Sequence, residues 1–151
     1  MRGYLIEIAY DPGTVGELNA DDFINTRDGH AFAEWYENGD DQECFKIFQD
    51  KFTKYGAVFG REEGVRYVSF SAEAKQAVFA DRYERFMKET GSMTLEKFAS
   101  EEIHKCQRLI EDAYDDAVYL TNEKYAVTMD EFVRQAEPGE RFYIGNILLM
   151  H

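Results

Sequence analysis

Alternating apolar and polar side chains mark the first strand of the chain. Ile6 and Ile8 fall on one face of the segment 3–10, which gives the two-residue period of a β-strand. The segment 141–150 is apolar on both faces, a pattern typical of a strand in the middle of a sheet. We expect these two strands to pair, because each carries apolar surface that the rest of the fold must cover.

A β-hairpin is predicted from two further segments, 57–61 and 65–70, which flank a turn at Gly64. A glycine-containing turn between two apolar segments is the usual signature of such a hairpin. The segment 117–127 is ambiguous, because its apolar residues could form short strands around Asn122.

Apolar residues at three- and four-residue spacing predict the helices. Phe45, Phe48 and Phe52 form such a stripe in a helix of about 41–55, which Gly56 ends. Further helices are predicted near 20–25, 30–37, 72–90 and 128–136.

The longest helix is predicted near 95–118. Apolar residues recur there every three or four positions, from Leu95 through Ile103 and Cys106 to Ala117. The chain is therefore predicted to be a single α+β domain over residues 1–151. It has about four mostly antiparallel strands, near 3–10, 57–61, 65–70 and 141–150, and five or six helices.

Composition and charge narrow the classes of function. A chain of 151 residues buries enough surface to fold without metal or disulfide cross-links. Its 30 acidic and 17 basic residues give a net charge of −13, which disfavours direct binding to nucleic acids and to anionic membranes. The same charge favours basic partners.

The sequence also indicates a compartment. The apolar run near the N-terminus is too short for a signal peptide, and no window has the roughly 20 apolar residues of a membrane span, so we expect a cytoplasmic protein. Cys44 and Cys106 are expected to be small buried residues in a reducing compartment, although the sequence leaves a disulfide open.

No motif reaches the specificity of a catalytic or ligand site. Glu101 and His104 have a spacing that di-iron bundles use, but those proteins need the pair twice. His30 and Glu34 could share a metal, but no Cys or second His lies near them in the sequence. No glycine-rich phosphate loop is present. We therefore predict no catalytic residue, no metal and no cofactor. The alternative is a small hydrolase-like or metal-dependent enzyme that uses Glu101 and His104.

The distribution of charge is the more informative feature. Residues 1–43 hold eleven acidic residues against only two basic ones. A second cluster follows at 111–116, where like charges at i, i+4 spacing oppose helix formation. The predicted partner-binding residues are Asp21, Asp22, Asp40, Asp41, Glu111, Asp112, Asp115 and Asp116.

These features predict a non-enzymatic acidic protein that binds a basic surface of a partner protein. Carboxylates spaced along helices can stand in for the phosphates of DNA or RNA. A nucleic-acid-binding partner is therefore expected, as for the inhibitors of bacterial nucleases and defence systems that phages and mobile elements encode. A further alternative is an assembly component that uses exposed Tyr and Phe side chains for contacts.

Overall fold

The computed structural model describes residues 3–39, 41–111 and 116–151, with the backbone alone for Asp41, Ile110 and Glu111. In these residues one seven-stranded sheet is combined with seven α-helices. The strands are β1 (Gly3–Ala9), β2 (Tyr36–Asn38), β3 (Val58–Glu62), β4 (Val65–Ser69), β5 (Ala117–Leu120), β6 (Tyr125–Thr128) and β7 (Arg141–Met150). The helices are α1 (Ala20–Phe23), α2 (Arg27–Phe32), α3 (Asp41–Thr53), α4 (Ala72–Gly91), α5 (Leu95–Phe98), α6 (His104–Glu111) and α7 (Met129–Gln135). No helix in these ranges is long and apolar enough to cross a membrane.

The sheet confirms the predicted α+β class. Its strand order is β3-β4-β7-β1-β5-β6, and β2 pairs with the second half of β7. Pairing of the first and last strands is also confirmed, with Gly3 opposite Met150. Five of the six strand pairings are antiparallel, and the pairing of β1 with β5 is parallel.

Helices cover both faces of this sheet. On one face α3, α4 and α7 pack over Ile6, Ile8 and Val118, and the aromatic residues Phe52 and Phe70 fill the centre of this core. On the other face a smaller core forms where α1 and α2 pack on Leu5 and its neighbours. β1 is therefore buried from both sides, as its 0–1% exposed apolar residues show.

The sheet has three strands beyond the four predicted. The ambiguous segment 117–127 forms β5 and β6, because β5 pairs in parallel with β1 and gains a partner that local sequence does not reveal. The predicted helix near 30–37 is wrong in its second half. The chain leaves α2 after Phe32 and forms β2, which pairs with β7.

The prediction of a longest helix near 95–118 is wrong. Helix α5 ends at Phe98, and the Ser100 hydroxyl then accepts a hydrogen bond from the Glu102 amide, which starts a new turn. Serine competes for backbone groups in this way and so interrupts a helix. The longest described helix is α4, with 20 residues.

Residues 80–105 form a segment that we call the helical arm. It comprises the second half of α4, α5 and the start of α6, and none of its residues is buried. The apolar stripe that predicted a long helix therefore begins at the surface, where Leu95 is 84% exposed and its neighbour Phe98 is 61% exposed, whereas Cys106 and Ala117, farther along the stripe, are buried.

Candidate functional site

The segment that covers the α1 and α2 face of the sheet is strongly acidic. Arg27 is the only lysine or arginine in the range 11–37. Six carboxylates of this range are exposed, and we call them the acidic layer: Asp11, Glu17, Asp21, Asp22, Glu34 and Glu37. Among the described residues none of the six pairs with a lysine or arginine, and Glu37 lies 3.3 Å from the Nε2 atom of His151.

Helix α1 places two of the predicted partner-binding residues at the surface. The side chain of Asn19 caps this helix by accepting a hydrogen bond from the Asp22 amide at 2.9 Å. Phe23 turns inward to the smaller core, so that Asp21 and Asp22 face solvent. Carboxylates in the first turn also suit the positive end of the helix dipole.

The other predicted residues lie elsewhere or outside the described part of the chain. Asp40, Asp112 and Asp115 fall outside the described residues, and for Asp41 and Glu111 only the backbone positions, at the ends of α3 and α6, are described. The structure therefore relates none of these five carboxylates to the acidic layer.

Asp116 is described in full, and its carboxylate is already engaged. Its Oδ1 atom accepts a hydrogen bond from the Tyr4 amide at 2.9 Å, and its Oδ2 atom lies 2.9 Å from the Nζ atom of Lys51. The side chain is 12% exposed. Since Lys51 belongs to α3, Asp116 is tied to the opposite face of the sheet from Asp21 and Asp22.

Glu7 is a buried, structurally important carboxylate that the sequence analysis did not identify. It lies on the central strand, fully buried. Its Oε1 atom accepts hydrogen bonds from the amides of Gly16 and Asn146, and its Oε2 atom accepts them from the Thr121 hydroxyl and from the amides of residues 17 and 18. All five partners donate, and together they fill the acceptor positions of the two oxygens. The sequence feature that could have identified Glu7 is its position as the single charged residue in an otherwise apolar strand.

A second polar cluster joins the turn after α3 to helices α4 and α7. The Tyr55 hydroxyl donates to Oδ2 of Asp81 at 2.8 Å, and Nη2 of Arg85 lies 3.5 Å from the same oxygen. Arg82 forms an ion pair with Asp130. These residues line a cleft of about 340 Å³. Both carboxylates are engaged by neighbouring groups, so the cluster stabilises the packing of the helices and offers no unengaged base.

Two pairs of tyrosine and carboxylate lie near the ends of the sheet. The Tyr143 hydroxyl and the Arg141 guanidinium both donate to Glu62, and these hydrogen bonds lower the pKa of Glu62. The hydrogen bond to Glu62 in turn raises the pKa of Tyr143. Burial, followed by a 2.8 Å hydrogen bond to Glu123, raises the pKa of Tyr10 well above its usual range. Both hydroxyls therefore act as hydrogen-bond donors.

The residues of the alternative enzyme hypothesis lie on the helical arm. Glu101 and His104 are both exposed, and the Nδ1 atom of His104 lies 2.9 Å from the Oε1 atom of Gln107. Within the described ranges no three His, Cys, Asp or Glu side chains come together as a metal site. Cys44 and Cys106 are both buried and do not form a disulfide.

Comparison with known proteins identifies no relative of this chain. No family model, no curated protein and no solved structure matches the chain.

Proposed function

We propose that the protein is a non-enzymatic interaction protein that binds a basic surface of a partner protein through its acidic layer. The observation that supports this proposal is a set of six exposed carboxylates that lack a lysine or arginine counter-ion among the described residues. Such a surface attracts a basic partner over a long range and accelerates their association.

The partner is a protein whose own ligand is a nucleic acid. The basic groove of such a protein attracts phosphates, and carboxylates spaced along α1 and the segment after it present charge of the same sign. With a net charge of −13, the chain competes with nucleic acid for that groove. The biochemical result of binding is inhibition of the partner.

A pair of matched variants tests this proposal. The first neutralises four residues of the acidic layer (Asp21→Asn, Asp22→Asn, Glu34→Gln and Glu37→Gln). The control neutralises four exposed acids of α4, α5 and the turn that follows (Glu73→Gln, Glu84→Gln, Glu96→Gln and Glu102→Gln). Both variants change the net charge by the same amount, so only the position of the charge differs.

The measurement is the capture of nucleic-acid-binding proteins from host extract at low salt, followed by competition of the purified partner with DNA or RNA. We expect capture by the wild-type protein and by the control, loss with the acidic-layer variant, and release by high salt. An affinity that is insensitive to salt, or an equal loss in both variants, contradicts the proposal.

A second candidate function, that of an assembly component, is supported by the helical arm. Four of its large apolar side chains are exposed to between 47% and 84%: Tyr83, Met87, Leu95 and Phe98. Large apolar residues grouped at the surface are typical of contact sites between proteins. The arm also contains six acidic and five basic residues, so two arms can meet with little electrostatic repulsion although the whole chains repel each other.

Sedimentation at increasing protein concentration separates the two candidates. If the arm mediates assembly, the wild-type mass rises with concentration and the variant Leu95→Ser/Phe98→Ser stays monomeric. Val58→Ser is the control, because Val58 is 57% exposed on β3, outside the arm. A wild-type protein that stays monomeric rules out self-assembly through the arm. That result does not bear on the binding of a basic partner through the acidic layer.

A further inference from the structure

The outer hairpin of the sheet places two arginines directly opposite each other. Arg61 on β3 and Arg66 on β4 are cross-strand partners. The two-residue turn between the strands, with positive φ angles of 53° at Glu63 and 78° at Gly64, fixes this register. Like charges at directly opposite positions destabilise a hairpin. The arrangement therefore has an energetic cost that the fold itself does not require.

Neither arginine has a carboxylate partner among the described residues. Glu62, which follows Arg61 on β3, alternates to the other face of the strand, where its carboxylate accepts hydrogen bonds from Tyr143 and Arg141. The chain has 30 acidic and 17 basic residues, so two adjacent arginines that form no ion pair with the residues described are unusual in it.

Both arginines line an open cleft of about 430 Å³. It forms because β4 pairs with β7 only as far as Tyr143, while β2 pairs with β7 only from Leu148 onward. The segment 144–147 of β7 is thus left beside the cleft. Arg61 and Arg66 are the only charged side chains that line this cleft in the described part of the chain.

The cleft also restrains one guanidinium group. The Cζ atom of Arg66 lies 4.1 Å from the centre of the Phe45 ring, which stacks against it. The cleft is also lined by Gln42, in the first turn of α3, and by Gly145. A planar guanidinium that is held in place loses less freedom when it binds an oxyanion, and its fork of donors matches phosphate oxygens.

We infer that this cleft binds a small molecule carrying a phosphate monoester, with the phosphate group held between Arg61 and Arg66. Two guanidinium groups that have no carboxylate counter-ion in the described ranges supply two positive charges. A phosphate monoester carries about −1.5 to −2 at neutral pH, whereas a carboxylate or a phosphodiester carries a single negative charge. The volume of the cleft lies within the range of pockets that hold small ligands. This inference is independent of the proposed role of the acidic layer.

Titration of the full-length protein with inorganic phosphate at low, constant ionic strength tests the inference. The readout is the amide NMR shifts of Phe45, Arg66 and Gly145, with acetate and a short oligonucleotide without terminal phosphates as comparison ligands. We expect saturable shifts with phosphate, and binding weakened roughly tenfold or more by Arg61→Gln and by Arg66→Gln. Arg66→Lys keeps the charge but loses the fork, and is expected to weaken binding less than Arg66→Gln.

Arg27→Gln is the matched control, because Arg27 is an exposed arginine on the opposite face. It should bind phosphate as the wild type does. The inference is overturned by shifts that do not saturate, by acetate or the oligonucleotide binding as tightly as phosphate, or by an equal loss in Arg27→Gln.

Discussion

The carboxylate of Glu7 lies so close to the backbone of Gly145 that any side-chain carbon at position 145 would overlap with the Oε1 atom of Glu7. The register of the central strands explains this fit. Ile6 pairs with Ile147 and Ile8 pairs with Ile144, so Glu7 faces two residues of β7 in a β-bulge. The carboxylate lies against this bulge, where it accepts a hydrogen bond from the Asn146 amide, and it also accepts hydrogen bonds from the amides of residues 16–18 in the loop after β1.

Glu7→Gln is expected to destabilise the protein by about 2–4 kcal/mol. The amide nitrogen of glutamine would face backbone N–H donors that now bind a carboxylate oxygen, which leaves buried donors without an acceptor. Urea denaturation of the two proteins measures the difference. Glu17→Gln is the control, because the Glu17 side chain is exposed, and it should change stability by no more than about 0.5 kcal/mol. Equal stability of Glu7→Gln and wild type would contradict the structural role.

Gly145→Ala and Gly91→Ala should shift stability in opposite directions. The added methyl group at position 145 overlaps the Glu7 carboxylate, and we expect a loss of about 1–3 kcal/mol. At position 91, the last residue of α4, no atom lies within 4 Å of the added carbon, so alanine should stabilise the protein by about 0.4–1 kcal/mol. Thermal denaturation of both variants provides the comparison, and a neutral Gly145→Ala would contradict the close contact.

Tyr143→Phe should raise the pKa of Glu62, because the hydrogen bond from Tyr143 is the main cause of its lowered value. A carboxyl group whose pKa is lowered in the folded state contributes stability above its unfolded pKa and loses that contribution as the pH falls through its folded pKa. The variant should therefore be less stable near neutral pH, and the difference from wild type should shrink in acid. NMR titration of the Glu62 carboxyl carbon checks the first statement, and denaturation at both pH values checks the second. An unchanged Glu62 pKa would show that the hydroxyl does not act on it.

Asp116→Ala and the double variant Asp21→Asn/Asp22→Asn should behave differently although all three residues were predicted to bind a partner. Loss of the Asp116 carboxylate removes the acceptor for the Tyr4 amide and the ion pair with Lys51, and should cost about 1–2 kcal/mol. The exposed pair on α1 should leave stability within about 0.5 kcal/mol of wild type. Chemical denaturation gives both values. If Asp116→Ala is as stable as wild type, the structural role of this carboxylate is contradicted, and Asp116 remains a candidate for partner binding.

Local sequence predicted the parts of the fold that local interactions determine. Two helices were predicted near 72–90 and 128–136, and the side chains of Ser71 and Thr128 cap the first turns of α4 and α7 there. Gly64 closes the predicted hairpin. The strands β2, β5 and β6 are short, and their pairing depends on residues far away in the chain. No local pattern distinguishes such segments from loops or helix ends.

The helical arm shows that the periodicity of apolar residues alone does not predict the length of a helix. Leu95 and Ile103 have regular spacing, but the spacing of apolar residues does not report whether a core exists for them to face. Ser100, a polar residue between them, was the local sign of a break. Similarly, the opposition of Arg61 and Arg66 became visible only when the hairpin register was known, although both residues lie in segments that were predicted as strands.

The position of β1 has a consequence for the order of events during synthesis. Its two neighbours in the sheet are β5 and β7, and its pairing joins Gly3 to Met150. The most apolar strand of the N-terminal third therefore leaves the ribosome long before either of its hydrogen-bonding partners exists. Contacts of such long sequence separation form slowly, and an unpaired apolar strand is prone to aggregate in the interval. On the nascent chain, Glu7 places an exposed negative charge in the middle of this apolar strand. The folded protein buries that carboxylate only after β5 and β7 have been synthesised and have paired with β1.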